Sequence, residues 1–285
     1  MTGLDHIKKI GVIGAGTMGL GIAQISAMAG FETILFDIDQ QMLTKAIQII
    51  TSNLDKGIER GKVTAELKTS TLSRIHTANV LNEVVADVVI EAIVEKLKVK
   101  QEVFAVLEKV NTEQTILASN TSSIPITQIA ASLQHPERFV GMHFFNPAHI
   151  MKLVEVISGV STSDSVAEII RELAIKLGKV PVMAKDAPGF IVNRVARHYY
   201  LEGLKLVEEG VADVQTVDQL LQASGFKMGP FELMDLIGVD TNFSVTTSMF
   251  DAFYKESKFR PSRIQQQKVD AGHHGRKSGQ GFYKY

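Results

Sequence analysis

The chain has 285 residues, about twice a typical domain length, so one large or two modest domains are expected. Thirty Lys and Arg against 31 Asp and Glu leave a net charge of −1, which excludes a global field that would draw in nucleic acid or an anionic membrane. The absence of cysteine excludes disulfides, thiolate catalysis and Cys-ligated zinc or iron–sulfur centres.

From residue 7 onward, short β-rich runs alternate with longer helical ones. The pattern predicts a strand over Ile7–Ile13, a helix over Met18–Ala29 closed by Gly30, and a second strand over Thr33–Asp37. Apolar positions Met42, Leu43, Ala46, Ile49, Ile50 and Leu54 predict a helix over Gln40–Arg60. Val88–Ile93 is almost continuously apolar, as expected of a parallel strand covered on both faces. A helix over Lys98–Val110, a strand over Thr115–Ser119 and a helix opened by Pro125 follow. Strands are predicted at Phe139–Phe144, Val154–Ile157 and Val180–Ala184, with a helix at Ser165–Leu177. Strands separated by helices of ten or more residues mean βαβ units and a mostly parallel sheet.

After Pro188-Gly189 the alternation stops. Helices are predicted at Phe190–Glu209 and Thr216–Ala223, at a short segment opened by Gly229-Pro230, at Thr241–Glu256, and from Pro261 onward. The expected organisation is an α/β domain over 1–185 and an all-helical domain over 186–285. No apolar run approaches the ~20 residues of a membrane span. Met1–Asp5 lacks the hydrophobic segment of a signal peptide, so a cytoplasmic protein is expected.

Ile10-Gly-Val-Ile-Gly14-Ala-Gly16-Thr17-Met18-Gly19 places a G-x-G-x-x-G between a predicted strand and a predicted helix. Gly14 permits a tight turn, Gly16 lets the backbone approach a pyrophosphate, and Gly19 lets helix and strand pack closely. The helix N-terminus then offers N–H groups and the positive end of its dipole to the phosphates. Asp37 ends the second strand 18 residues beyond Gly19, close to the ~20 expected of an acid that binds a ribose. A carboxylate there accepts from the ribose hydroxyls and repels a 2′-phosphate, favouring NAD over NADP. The fold expected is therefore a Rossmann-type, doubly wound α/β domain followed by an all-α domain.

A nicotinamide needs a partner that moves the substrate's proton. Of the eight histidines, His6, His76, His135, His149 and His198 have no distinctive neighbours, and His273-His274 sit in a polar tail. His143 lies at the end of a predicted strand, where ligands collect in open α/β sheets. Twelve residues on, Glu155 sits among apolar neighbours in the next strand, and a buried carboxylate needs a partner. A Glu beside the ring would orient it and steady its cationic form. From spacing alone the pair fits a structural contact as well as an acid–base couple.

Several segments together carry a signature. Ile13-Gly-Ala-Gly-Thr-Met-Gly19, Ser119-Asn-Thr-Ser-Ser123, His143-Phe-Phe-Asn-Pro147, Met151-Lys-Leu-Val-Glu155, Pro188-Gly-Phe-Ile-Val-Asn-Arg194, Met228-Gly-Pro-Phe-Glu232 and Gly275-Arg-Lys-Ser-Gly-Gln-Gly-Phe-Tyr283 occur in order. In these the chain resembles the L-3-hydroxyacyl-CoA dehydrogenase family, and its compact length resembles the monofunctional 3-hydroxybutyryl-CoA dehydrogenases. The resemblance implies an NAD-binding Rossmann domain, an all-helical domain that carries most of a homodimer contact, and an acyl-CoA substrate. It implies His143 as catalytic base, Glu155 as its orienting acid, and Ser122 and Asn193 as polar groups around the reacting carbon and the nicotinamide. It further implies cofactor contacts from the turn residues Gly14, Gly16, Thr17, Met18 and Gly19, from Asp37, and from Glu95, Lys100, Asn120, Ser122, Asn146 and Lys277. No metal is called for.

The same resemblance assigns Lys56 and Arg60 to the coenzyme A phosphates. Their spacing of four places both on one face of the predicted helix, where a merely solvated basic face is the alternative. Some relatives carry Lys at the position of Arg60, and the two side chains do not grip phosphate alike. Without the resemblance, Ser122 reads as a helix cap ahead of Pro125, and Asn193 as an exposed amide. Two other functions remain open at this point. One is a related dehydrogenase of a free hydroxy acid, such as the gulonate dehydrogenases; the other is a non-catalytic dinucleotide-binding protein.

Overall fold

The computed structural model describes residues 3–285. It contains two compact units, the first running through Ala187 and the second covering Pro188–Tyr285.

In the first unit β1 (Lys9–Ile13) leads into α1 (Thr17–Met28), β2 (Glu32–Phe36) and α2 (Gln40–Glu59). Then come α3 (Ala65–Ser73), β3 (Ile75–Ala78), β4 (Val88–Glu91), α4 (Leu97–Val110), β5 (Ile116–Ser119) and α5 (Ile126–Ala130). The unit ends with β6 (Phe139–Phe144), β7 (Leu153–Ser158), α6 (Asp164–Lys176) and β8 (Val180–Lys185). One eight-stranded sheet has the order β3-β2-β1-β4-β5-β6-β7-β8. Neighbouring strands are parallel except at β6–β7, where the pairing is antiparallel. The central strands β4, β5 and β6 are buried throughout, which explains why they are apolar except for Glu91, Ser119 and His143 at or near their carboxyl ends.

Helix α3 and strand β3 escaped the sequence reading for a physical reason. α3 buries only Thr71 and has no apolar stripe, while β3 is a four-residue edge strand with one fully buried residue. Neither carries the periodicity that burial writes into a sequence. At α5 the first N–H groups, on Ile126 and Thr127, are held by the Asp186 carboxylate at 2.9 and 2.8 Å. No side chain ahead of Pro125 caps the helix, so the cap reading of Ser122 is not realised.

Because β1, β4, β5 and β6 are parallel, their carboxyl ends emerge on one edge of the sheet. The chain leaves β1 toward β2 and β3 and returns on the other side as β4, so the β1/β4 boundary is the topological switch point. Ligands of open α/β sheets gather in the crevice at such a point.

The second unit is built from α7 (Val192–Glu208), α8 (Val214–Ala223), α9 (Pro230–Ile237), α10 (Val239–Ala252) and α11 (Arg263–Asp270). α7 begins later than the periodicity predicts, because Gly189 and Phe190 take positive φ values of 71° and 49°. α10 stops before Tyr254 and Lys255, whose φ values of 54° and 64° lie in the left-handed region. Tyr200, Leu204, Val217, Phe231 and Met234 form the core of this unit. Asp235 ties the tail to it by accepting from the Phe282 and Tyr283 N–H groups, each at 2.9 Å. Among the described residues, no helix of either unit is long and apolar enough to cross a membrane.

Candidate active site

The glycine turn joins β1 to α1 at the switch point. Gly14 adopts φ +100°, and a side chain there would run into the Ala92 carbonyl at the end of β4. A Cβ on Gly19 would collide with the Gly14 carbonyl oxygen, so strand and helix can approach only with glycine present. Gly16 differs, because nothing stands within 4 Å of where its Cβ would be. That open space lies at the N-cap of α1, whose first turn, including Thr17 and Met18, has no side-chain cap and no acidic residue. Free N–H groups, the positive helix end and room beside the backbone suit a pyrophosphate.

Asp37 follows β2 and reaches back to the turn, its Oδ2 accepting from Ala15 N at 2.8 Å and its Oδ1 from Asp39 N at 3.0 Å. These bonds fix the carboxylate beside the phosphate-binding turn while leaving lone pairs for hydroxyl donors. The residues present therefore fit a dinucleotide.

Strands β6 and β7 bring His143 and Glu155 together. They are direct partners in the antiparallel register, and His143 Nδ1 lies 2.8 Å from Glu155 Oε2. His143 is 5% exposed and Glu155 1%. A carboxylate accepts, so Nδ1 carries the hydrogen and Nε2 is the atom that can exchange a proton. The Phe145 ring packs against the imidazole with centroids 4.6 Å apart.

Two loops flank this pair. After β4, Glu95 uses Oε1 to accept from Thr121 Oγ1 at 2.6 Å, from Ser122 N at 2.9 Å and from Ser123 N at 3.2 Å. Ser122 Oγ is 3.4 Å from the same oxygen. Burial raises the Glu95 pKa, but the Lys100 ammonium and the hydrogen bonds from Thr121 and Ser122 outweigh it and hold the carboxyl below its usual value. Asn120 Oδ1 accepts from Phe144 N at 2.8 Å, tying the loop after β5 to the strand that carries His143. Asn146 is exposed just beyond β6.

The sequence reading missed Glu91. This last residue of β4 is fully buried, and Oε1 accepts from Lys100 Nζ at 2.6 Å and Ile93 N at 2.7 Å. Its Oε2 accepts from Ser119 Oγ at 2.6 Å. In the sequence Glu91 looks like a charge that closes an apolar run, and nothing local links it to a lysine nine residues on.

The remaining predicted positions are Lys56 and Arg60 in the first unit and Asn193 and Lys277 in the second. Lys56 and Arg60 are exposed at the end of α2, where Arg60 is the C-cap rather than a helical residue. In the helical unit Asn193 stands in the first turn of α7. Lys277 is paired with Asp240 at 2.7 Å, over Gly238, whose missing Cβ makes room for the ammonium.

Comparison with known proteins assigns both units. Residues 9–187 match the profile of the 3-hydroxyacyl-CoA dehydrogenase NAD binding domain, and residues 189–285 match that of the 3-hydroxyacyl-CoA dehydrogenase C-terminal domain. Over 98% of its length the chain is 49% identical to the 3-hydroxyadipyl-CoA dehydrogenase of Escherichia coli, of which it spans 59%. It is 42% identical to the 3-hydroxybutyryl-CoA dehydrogenase of Bradyrhizobium diazoefficiens, with 98% of this chain and 96% of the relative aligned. The solved (S)-3-hydroxybutyryl-CoA dehydrogenase of Ralstonia eutropha superimposes with a TM-score of 0.94 at 38% identity, covering 98% of this chain and 99% of the other.

Proposed function

This chain belongs to the 3-hydroxyacyl-CoA dehydrogenase family, and from that premise we propose that it oxidises an (S)-3-hydroxyacyl-CoA reversibly to the 3-oxoacyl-CoA. Its cofactor is NAD, which when bound supplies the hydride acceptor. The observation that carries the reading is the His143–Glu155 contact, on the same edge of the sheet as the glycine turn. Short-chain substrates of the 3-hydroxybutyryl-CoA type are favoured by the names of relatives that align over nearly their whole lengths.

In this mechanism His143 Nε2 accepts the hydroxyl proton of the substrate. Glu155 holds the Nδ1–H, keeps the reactive tautomer in place and stabilises the imidazolium that results. In the reverse direction the imidazolium returns its proton to the developing alkoxide. Ser122 Oγ donates to that oxygen as charge grows on it. Glu95 and Asn120 support this by anchoring the backbone that carries Ser122 and His143. Lys56 and Arg60 meet the phosphates of the coenzyme A moiety. The enzyme acts in the cytoplasm as a homodimer joined through its helical unit, a reading supported by the exposed apolar side chains Val211, Leu220 and Phe226.

Coenzyme A dependence tests this reading. NADH consumption with acetoacetyl-CoA should far exceed that with free acetoacetate, and Lys56→Ala should raise the KM for the thioester alone. Equal turnover of the free acid would favour a hydroxy-acid dehydrogenase. NADH binding without turnover of either compound would favour a non-catalytic protein.

A further inference from the structure

Glu91 and Lys100 form a buried ion pair that hydride transfer does not use directly. Their side chains are 0% and 1% exposed, and neither reaches the His143–Glu155 couple. A buried carboxylate and ammonium are costly to desolvate, and apolar residues of similar volume commonly serve stability as well or better. The bonds that this pair makes show what else it does.

Every contact of the Glu91 side chain goes to the ligand edge of the sheet. Glu91 is in register with Ile13, which precedes the glycine turn, and with Ser119, which precedes the Asn120–Ser123 loop. One oxygen holds Ile93 N in the loop after β4, and the other holds the Ser119 hydroxyl. Its backbone carbonyl accepts from Asn120 N at 2.8 Å. Lys100 bridges from Glu91 to a second carboxylate, its Nζ lying 3.2 Å from Glu95 Oε2. Glu95 then passes the constraint to Thr121, Ser122 and Ser123 through its other oxygen. Charges alternate along this chain as minus, plus, minus, and each link ends on a loop beside the switch point.

We propose that Glu91 is a positioning residue which, through Lys100, fixes Glu95 and the Ser119–Ser123 loop in the geometry that receives the nicotinamide half of NAD. Glu91 needs to touch neither cofactor nor substrate for this. With Glu91 neutral, Lys100 retains only the more exposed Glu95 as a counter-charge, so the ammonium draws Glu95 away from the Thr121 and Ser122 donors. The turn residues that hold the pyrophosphate stay in place. The proposal rests on the NAD-binding assignment and not on the acyl-CoA reading, so cofactor binding can test it whatever the substrate.

The experiment compares Glu91→Gln, Lys100→Met and the double variant Glu91→Leu/Lys100→Met by thermal melting, NADH fluorescence titration and steady-state kinetics. Either single variant should weaken NADH binding by roughly tenfold to hundredfold, the scale of losing one hydrogen bond to a charged group. The double variant removes both charges together and should melt near the wild-type temperature while keeping the weakened NADH affinity. Its affinity for ADP-ribose, which lacks the nicotinamide, should remain within about twofold of wild type. Recovery of wild-type NADH affinity in the double variant would make the pair purely structural and overturn the proposal. So would NADH binding unchanged in Glu91→Gln, or equal losses for NADH and ADP-ribose. If the double variant does not fold, Glu91→Gln decides alone through its NADH-to-ADP-ribose ratio.

Discussion

His143 and Glu155 face each other across the antiparallel β6–β7 pair, so twelve residues of sequence become a 2.8 Å contact between buried side chains. Strand register enforces the meeting. A slip of one residue would send one of the two side chains to the opposite face of the sheet. If Nε2 of this ring is the proton acceptor, His143→Gln should lower kcat by roughly 10²–10⁴ and leave NADH affinity nearly intact. Stopped-flow turnover together with NADH titration separates the two effects, and near-normal kcat would reject the assignment.

Glu155→Gln tests orientation and charge together. An amide fills the same volume but can turn its NH₂ toward Nδ1, which would favour the tautomer with its hydrogen on Nε2. Turnover should fall about 10²-fold or more, with little change in KM for the thioester. A variant that raises KM and keeps kcat would assign Glu155 to substrate binding instead.

Asp37 is predicted to govern cofactor choice. Its carboxylate is fixed beside the turn by Ala15 N, where a 2′-phosphate would meet like charge. Asp37→Ala should weaken NADH binding and narrow the preference over NADPH, measured as the ratio of kcat/KM for the two cofactors. An unchanged ratio would count against a ribose role.

Lys179 gives a prediction in pH. Its ammonium is buried beneath the segment between β6 and β7 and donates to the carbonyls of Ala148 and Met151, with no carboxylate paired to it among the described residues. Burial, with the nearby Lys152 charge adding to it, lowers its pKa from 10.5 to about 8. Between these values the unfolded chain holds a proton that the folded chain has released, so stability contributed by this site rises with pH across that window. The melting temperature of the wild type relative to Lys179→Met should therefore climb from pH 8 toward pH 10.5 and be flat below pH 8. A difference that is constant with pH would show that the amine titrates normally in the folded state.

Much of this protein is legible locally. Apolar patterning, with proline marking the start of some helices, places ten of the eleven helices and seven of the eight strands named above, because burial on one face or two is written at fixed spacing. The element it misses on each count, α3 and β3, buries too little to leave a pattern. The glycine turn is visible because a positive φ and a collision-free approach allow few residues, and Asp37 because an acid at the end of the next strand stands at the spacing a ribose contact needs. By contrast, Lys56, Arg60, Asn193 and Lys277 were singled out only through resemblance, since a single amide or cation has no local signature of function.

What the sequence by itself determined is thus the alternation of strands and helices, the phosphate-binding turn and the candidacy of His143 and Glu155, all features set within a few residues of chain. The tertiary structure decided which side chains meet. It joined Glu91 to Ser119 and Lys100, sent Asp186 across 60 residues to hold the start of α5, and denied Ser122 a capping role. Contacts of that kind depend on strand order and register, which arise from packing the whole sheet and leave no trace in the spacing of neighbouring residues.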